Sequence, residues 1–155
     1  MRSATEQRKF DLALTELFER TITFNEVLGL KVILASADET KTCFEMKPQL
    51  VGHYHYGRLH GGVISAVLDT SAGLAIMAAL GAKHAAESSS QVAERFLRLG
   101  TIDLRVDYLR QGTGTTFIST SKVTRLGSRI ASTQMALHNE SGILIATGAG
   151  TYIVS

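Results

Sequence analysis

Tryptophan is absent from this 155-residue chain, and cysteine and proline occur once each. A lone cysteine excludes an intrachain disulfide framework, and the opening residues lack the pattern of a secretory leader, so a cytoplasmic location is the expectation. Cys43 sits in a strand-like run, where a free thiol is a small packed residue rather than a nucleophile. Net charge is small too: a formal +2 is too little for the basic footprint of a nucleic-acid binder. No Gly-x-Ser-x-Gly elbow is present, so Ser65 and Ser71 carry little sign of a nucleophile. Gly57 to Gly62 lacks the Gly-Lys-Ser/Thr ending of a phosphate loop. His53, His55 and His60 match no standard zinc spacing and have no nearby Cys or carboxylate as a fourth ligand, which argues against a metal. No repeat, linker or low-complexity segment appears, so residues 1–155 read as one domain of ordinary globular composition.

What the chain does have is one long apolar stretch. From Gly61 to Ala82 the only formally charged side chain is Asp69, and the spacing is that of a helix apolar nearly all round. Its length alone would permit a membrane span. Its glycines, its Ser and Thr residues, its many alanines and an acid at what would be mid-bilayer favour a helix buried inside a globular domain. A carboxylate there is costly unless something pairs with it or uses it. Asp69 therefore either does chemistry or fixes the register of an assembly. Gly61 and Gly62 fall where the helix begins, so their N–H groups and the helix dipole suit an oxyanion. Asp69 follows Gly61 by eight residues, about 12 Å along the axis at about 1.5 Å per residue, too far for one carbonyl to touch both. If the two act together, a second copy must run antiparallel, as in a two-fold dimer.

The rest of the chain reads as amphipathic elements. Ser3-Ala4-Thr5-Glu6 has capping-box spacing, and Phe10, Leu14, Leu17 and Phe18 form the stripe of a helix over residues 1–21. Leu28 to Ala37 and Thr40 to Lys47 suggest a hairpin ended by Pro48, followed by a polar, aromatic loop from Gln49 to Arg58. Gly81 to Ser90 reads as a mobile loop, with Val92, Phe96 and Leu99 on a short helix that could fold over a pocket. Four strands follow. In the first, Ile102, Leu104, Val106 and Tyr108 alternate with Asp103, Arg105 and Asp107. Thr115 to Leu126, Arg129 to Asn139 and Ile143 to Val154 complete the set. The expected fold class is α+β, with a five- or six-stranded antiparallel sheet wrapped on the long helix. Arg125 and Arg129 flank a turn and could meet phosphates.

Leu59-His60-Gly61-Gly62, then Asp69 and Gly73, resembles the His-Gly-Gly…Asp…Gly signature of hotdog-fold acyl-CoA thioesterases of the PaaI type. Gly100 to Arg110 is similar to the same family, especially its YigI-like branch, and the likeness runs from about Phe24 to the C-terminus. The resemblance implies a hotdog fold with active sites at a dimer interface; with the spacing of Gly61 and Asp69, the expectation is a dimer at least and a tetramer as the assembly, and no cofactor is expected. It implies that Asp69 is general base or nucleophile, that the Gly61 N–H polarises the thioester carbonyl, that His60 holds that turn and that Thr101 assists the water. Relatives carry Asn or Gln in the loop before His-Gly-Gly, where this chain offers His53 or Tyr54. Gly62 at the helix start, Arg125 and Arg129 for the phosphates of coenzyme A, and Phe96 over the acyl end complete the expected binding residues. The expected partner is an acyl-CoA, with neither nucleic acid nor membrane. The alternative is a non-catalytic hotdog module that binds an acyl ligand.

Overall fold

Ser3 caps the first helix, α1 (Ala4–Glu16), its Oγ accepting the Glu6 N–H at 3.2 Å. The reciprocal half of the expected capping box is not made, because the Glu6 carboxylate turns to Lys9 Nζ at 2.9 Å. The computed structural model describes residues 2–155. Beyond α1 the chain widens into a π-helical turn, Leu17–Thr21, and then forms a second short helix, α2 (Thr23–Leu28). Leu28 therefore ends a helix and does not begin a strand as its apolar neighbours suggested. Gly29, at φ 73°, supplies the left-handed cap that stops α2. The first strand begins two residues later.

That strand, β1 (Lys31–Ala35), pairs antiparallel with β2 (Thr40–Glu45). Pro48 then opens a single 3-10 turn, Pro48–Leu50. The expected loop after it is partly ordered as a small hairpin, β3 (Val51–His53) with β4 (Arg58–Leu59). The long helix α3 covers Gly61–Lys83, and α4 covers Ser89–Phe96. The chain closes with β5 (Gly100–Tyr108), β6 (Thr116–Leu126), β7 (Ile130–Asn139) and β8 (Leu144–Ile153). The main sheet has six strands in the order β1-β2-β6-β7-β8-β5, with every pairing antiparallel. This is the α+β arrangement expected of a hotdog fold, with α3 as the helix that the sheet wraps.

Small residues let α3 sit close to the sheet. Ser71, Ala72 and Ala75 are buried on the helix, and Thr42, Ser119 and Ser121 are buried on the strands. Thr42 Oγ1 and Ser71 Oγ meet at 3.0 Å, while Phe44 stacks on Phe117 at 5.1 Å to fill the adjoining space. α3 is long and apolar enough to cross a membrane, yet it is largely buried within this fold, as its acid and small residues led one to expect.

Two expected features differ. Ser88 forms a complete capping box with Gln91, so α4 starts firmly where a mobile loop was expected. The short connection before it is also tied down. Arg2 donates to the carbonyls of Gly81 and Glu87, and Arg95 Nη2 lies 2.6 Å from Glu87 Oε1, holding that carboxyl below its usual range. In β5 the alternation is broken by a bulge between Thr101 and Asp103, and Ile102 turns outward, 56% exposed.

α1 docks on the end of α3 through Phe10, whose ring fills the space left by Gly81, under the Arg2 guanidinium at 4.7 Å. Phe10→Ala is expected to cost about 3 kcal/mol, near the lower end for a buried phenylalanine, because α1 lies at the edge of the core. Chemical denaturation checks this through a lowered midpoint.

Candidate active site

Asp69 emerges half-buried from α3 into a cavity of about 260 Å³ lined by Phe18, Ala66, Gly73, Phe96, Leu99 and Tyr152, among others. Its Oδ1 accepts two hydrogen bonds, from Thr101 Oγ1 and from the Tyr152 hydroxyl, each at 3.0 Å. The two donors are direct cross-strand neighbours, Thr101 on β5 and Tyr152 on β8. The bulge after Thr101 belongs to this arrangement: an extra residue in one strand re-aims the neighbouring side chain. Oδ2 has no protein donor among the described residues. The carboxylate is therefore neither unpaired nor fully enclosed. One oxygen is held, and the other has no protein partner among the described residues.

Tyr152 is 2% exposed and was not singled out in the sequence. Its signal lies in the glycine two residues before it. A Cβ at Gly150 would come within 2.6 Å of the Tyr152 ring, so glycine makes room for the tyrosine to reach α3. Burial, and then the adjacent Asp69 charge, push the Tyr152 hydroxyl far above its ordinary value of 10.0. It stays a proton donor. The N-terminal segment was also missed as a contributor. Asn25 is buried, donates to the Phe18 carbonyl and to Thr70 Oγ1 at 2.9 Å each, and so pins Phe18 and Phe24 onto the cavity wall.

At the start of α3, His60 Nδ1 accepts the Gly62 N–H at 2.8 Å, which makes His60 the cap and places its ring proton on Nε2. Gly62 is consequently not a free donor, contrary to its expected part in an oxyanion site. The Gly61 N–H has no backbone acceptor among the described residues, and the Tyr108 hydroxyl donates to the Gly61 carbonyl at 3.1 Å. Gly52 backs this turn so closely that a Cβ there would collide with His60 Cα. Gly61 faces its own cavity, of about 410 Å³, shared with Arg58, Tyr108 and Arg110. Among the described residues none lines both the Gly61 and the Asp69 cavities.

Among the other expected binding residues, Phe96 does line the Asp69 cavity, edge-on to Phe18 with ring centroids 5.8 Å apart. His53 and Tyr54 line neither cavity. His53 stacks against Tyr56 at 4.8 Å and Tyr54 is 94% exposed, at the tip of the β3–β4 hairpin. Arg125 and Arg129 lie at the β6–β7 turn, beside the far end of α3, where Lys83 Nζ contacts the Gly127 carbonyl. That is fourteen residues, or about 21 Å, beyond Asp69 along the axis, so one chain does not bring them to its own carboxylate. Cys43 is half-buried, and burial raises its thiol, in keeping with a packed residue.

A six-stranded antiparallel sheet wrapped on one long apolar helix defines a hotdog protein. The sequence profile of the thioesterase superfamily matches residues 56–146, and the chain belongs to that superfamily. It is 38% identical over 139 residues to the medium/long-chain acyl-CoA thioesterase YigI of Escherichia coli K12, with 90% of each chain covered. A crystal structure from Shewanella oneidensis, described as related to the thioesterase superfamily, superposes with a TM-score of 0.90 at 38% identity, covering 99% of each chain. Zebrafish thioesterase superfamily member 2 shares the fold at a TM-score of 0.71 and 20% identity, over 92% of this chain and 94% of its own.

The Tyr152 hydrogen bond implies a pH dependence. A tyrosine raised in the folded state keeps its proton there while the unfolded chain loses it above about pH 10, so stability falls as pH rises past that value. In Tyr152→Phe this alkaline loss of stability is expected to be shallower, checked by melting temperatures across an alkaline pH series.

Proposed function

We propose that the chain hydrolyses acyl-CoA thioesters, with medium to long acyl chains as substrates, using Asp69 as the catalytic carboxylate. The observation that carries this reading is the asymmetric carboxylate: Oδ1 held by Thr101 and Tyr152, Oδ2 unclaimed, on the wall of an apolar cavity. Oδ2 is the atom left to take a proton from water as it adds to the thioester, or to add to the carbonyl itself. Either route builds negative charge on the carbonyl oxygen. The Gly61 N–H at the positive end of α3 is suited to stabilise it. His60 serves by shaping that turn, and Thr101 by orienting Asp69.

The two halves belong to two chains in this reading. Asp69 and Gly61 lie about 12 Å apart along one helix and face separate cavities, so a partner's Gly61 must complete the site beside Asp69. The uncovered β5 edge, with Ile102 and Tyr108 exposed, supports a second copy there. We read the protein as one cytoplasmic domain that assembles as a dimer at least, with a tetramer as the full assembly. In such an assembly Arg125 and Arg129 would serve the phosphates of coenzyme A bound mainly by another chain.

Asp69→Asn keeps the shape and both hydroxyl donors but removes the base. Thiol release is expected to fall by about two to four orders of magnitude with the melting temperature little changed. A stable Asp69→Asn protein with undiminished turnover overturns the assignment and leaves the acyl-binding module as the reading. Gly61→Pro removes only the N–H, since proline is tolerated at the first helical position, and is expected to be similarly inactive. Unfolding and refolding the two inactive variants together should restore about a quarter of wild-type activity, because half the dimers are mixed and each has one intact site. No recovery rules out a shared site.

A further inference from the structure

Phe96 touches two cavities. One is the Asp69 cavity; the other is a second, more apolar space of about 210 Å³ between α1, α3 and α4, lined by Phe10, Leu14, Leu17, Met77 and Leu97 among others. Asp69, Gly73 and Met77 succeed one another at four-residue intervals and so share one face of α3. The first two line the Asp69 cavity and the third lines the second cavity, about 12 Å along the axis from Asp69. Gly73 puts no side chain of its own on the helix face between them, and the side chains of Phe18 and Leu99 pack over it. The π-helical turn presents its consecutive residues to different spaces, Phe18 to the first and Leu17 to the second. Phe96, the last residue of α4, stands at the junction with its ring edge-on to Phe18.

We propose that the two cavities are successive segments of one acyl channel, and that Phe96 is the specificity-determining gate between them. The α1–α4 cavity takes the distal end of a straight aliphatic chain. The Phe96 ring shared by the two spaces points to one occupant, and no charged side chain among the described residues lines the second space to welcome a polar one. Short acyl groups end against the Phe96 ring, whereas long ones displace it and run on to Met77. This proposal rests on the acyl-CoA reading above and assigns to α1 and α4 the measurement of chain length.

The test is kcat/KM for thiol release across straight-chain substrates from butyryl-CoA to palmitoyl-CoA. Ala93 is an exposed α4 residue on the wall of the second cavity, so Ala93→Phe obstructs that space without disturbing the core. It should lower kcat/KM for palmitoyl-CoA by about tenfold or more and leave butyryl-CoA unchanged, since each methylene in an apolar site is worth at least that order of discrimination. Phe96→Ala should raise the ratio of palmitoyl-CoA to butyryl-CoA, with Phe96→Leu as a milder variant that keeps apolar cover if the alanine variant proves unstable. Unchanged chain-length ratios in Ala93→Phe and in the folded Phe96 variant overturn the channel while leaving Asp69 chemistry intact. Failure of the wild-type protein to hydrolyse any acyl-CoA in the panel overturns the acyl-CoA reading and the channel with it.

Discussion

The structure depends on one buried arrangement, a carboxylate on an apolar helix held by two hydroxyls from neighbouring strands. A charge placed in such surroundings costs free energy unless hydrogen bonds replace the lost water. Thr101 and Tyr152 supply them, and both arrive from the β5–β8 pair at the same oxygen. Much of the local design follows. The β5 bulge sets the direction of Thr101, Gly150 clears the path for Tyr152, and the small residues of α3 bring the helix close enough for both contacts.

The long helix, its acid and the antiparallel strands were legible in the sequence because each has a strong local pattern. Asp69 stood out as one charge in a long apolar run, and Thr40 to Lys47 as a strand ended by Pro48. Less legible were features set by tertiary contact. Leu28 looked like a strand start because apolar residues follow it, but the left-handed conformation of Gly29 and the burial of Asn25 favour a helix. Gly81 to Ser90 looked loose by composition, yet Arg2, from the other end of the chain, ties it down. Tyr152 is one tyrosine in a strand, and nothing local says that its hydroxyl meets Asp69. His53 and Tyr54 were expected near the chemistry from their place before His60, but the β3–β4 hairpin carries them to its tip.

The first 25 residues matter more than their position outside the His60-Gly61-Gly62 and Asp69 motif suggests. Phe18, Ile22, Phe24 and Asn25 form one side of the Asp69 cavity, and Phe10, Leu14 and Leu17 form one side of its neighbour. The two sets divide at adjacent residues, Leu17 and Phe18, where the chain enters its π-helical turn. The sheet and α3 carry Thr101, Tyr152 and Asp69, and the preceding helices supply part of the walls.

β5 lies at the margin of the sheet and is hydrogen-bonded on one side only. Strand ends at such margins open locally at little cost, well before the core does. Thr101 is the second residue of β5, so transient fraying there releases one of the two groups that steady Asp69 while Tyr152, deep in β8, keeps its hold. Fraying of those few backbone hydrogen bonds leaves the carboxylate with a single hydroxyl donor. Whatever covers that margin therefore bears on the Thr101–Asp69 hydrogen bond from a distance, by holding the strand end closed and without touching the carboxylate.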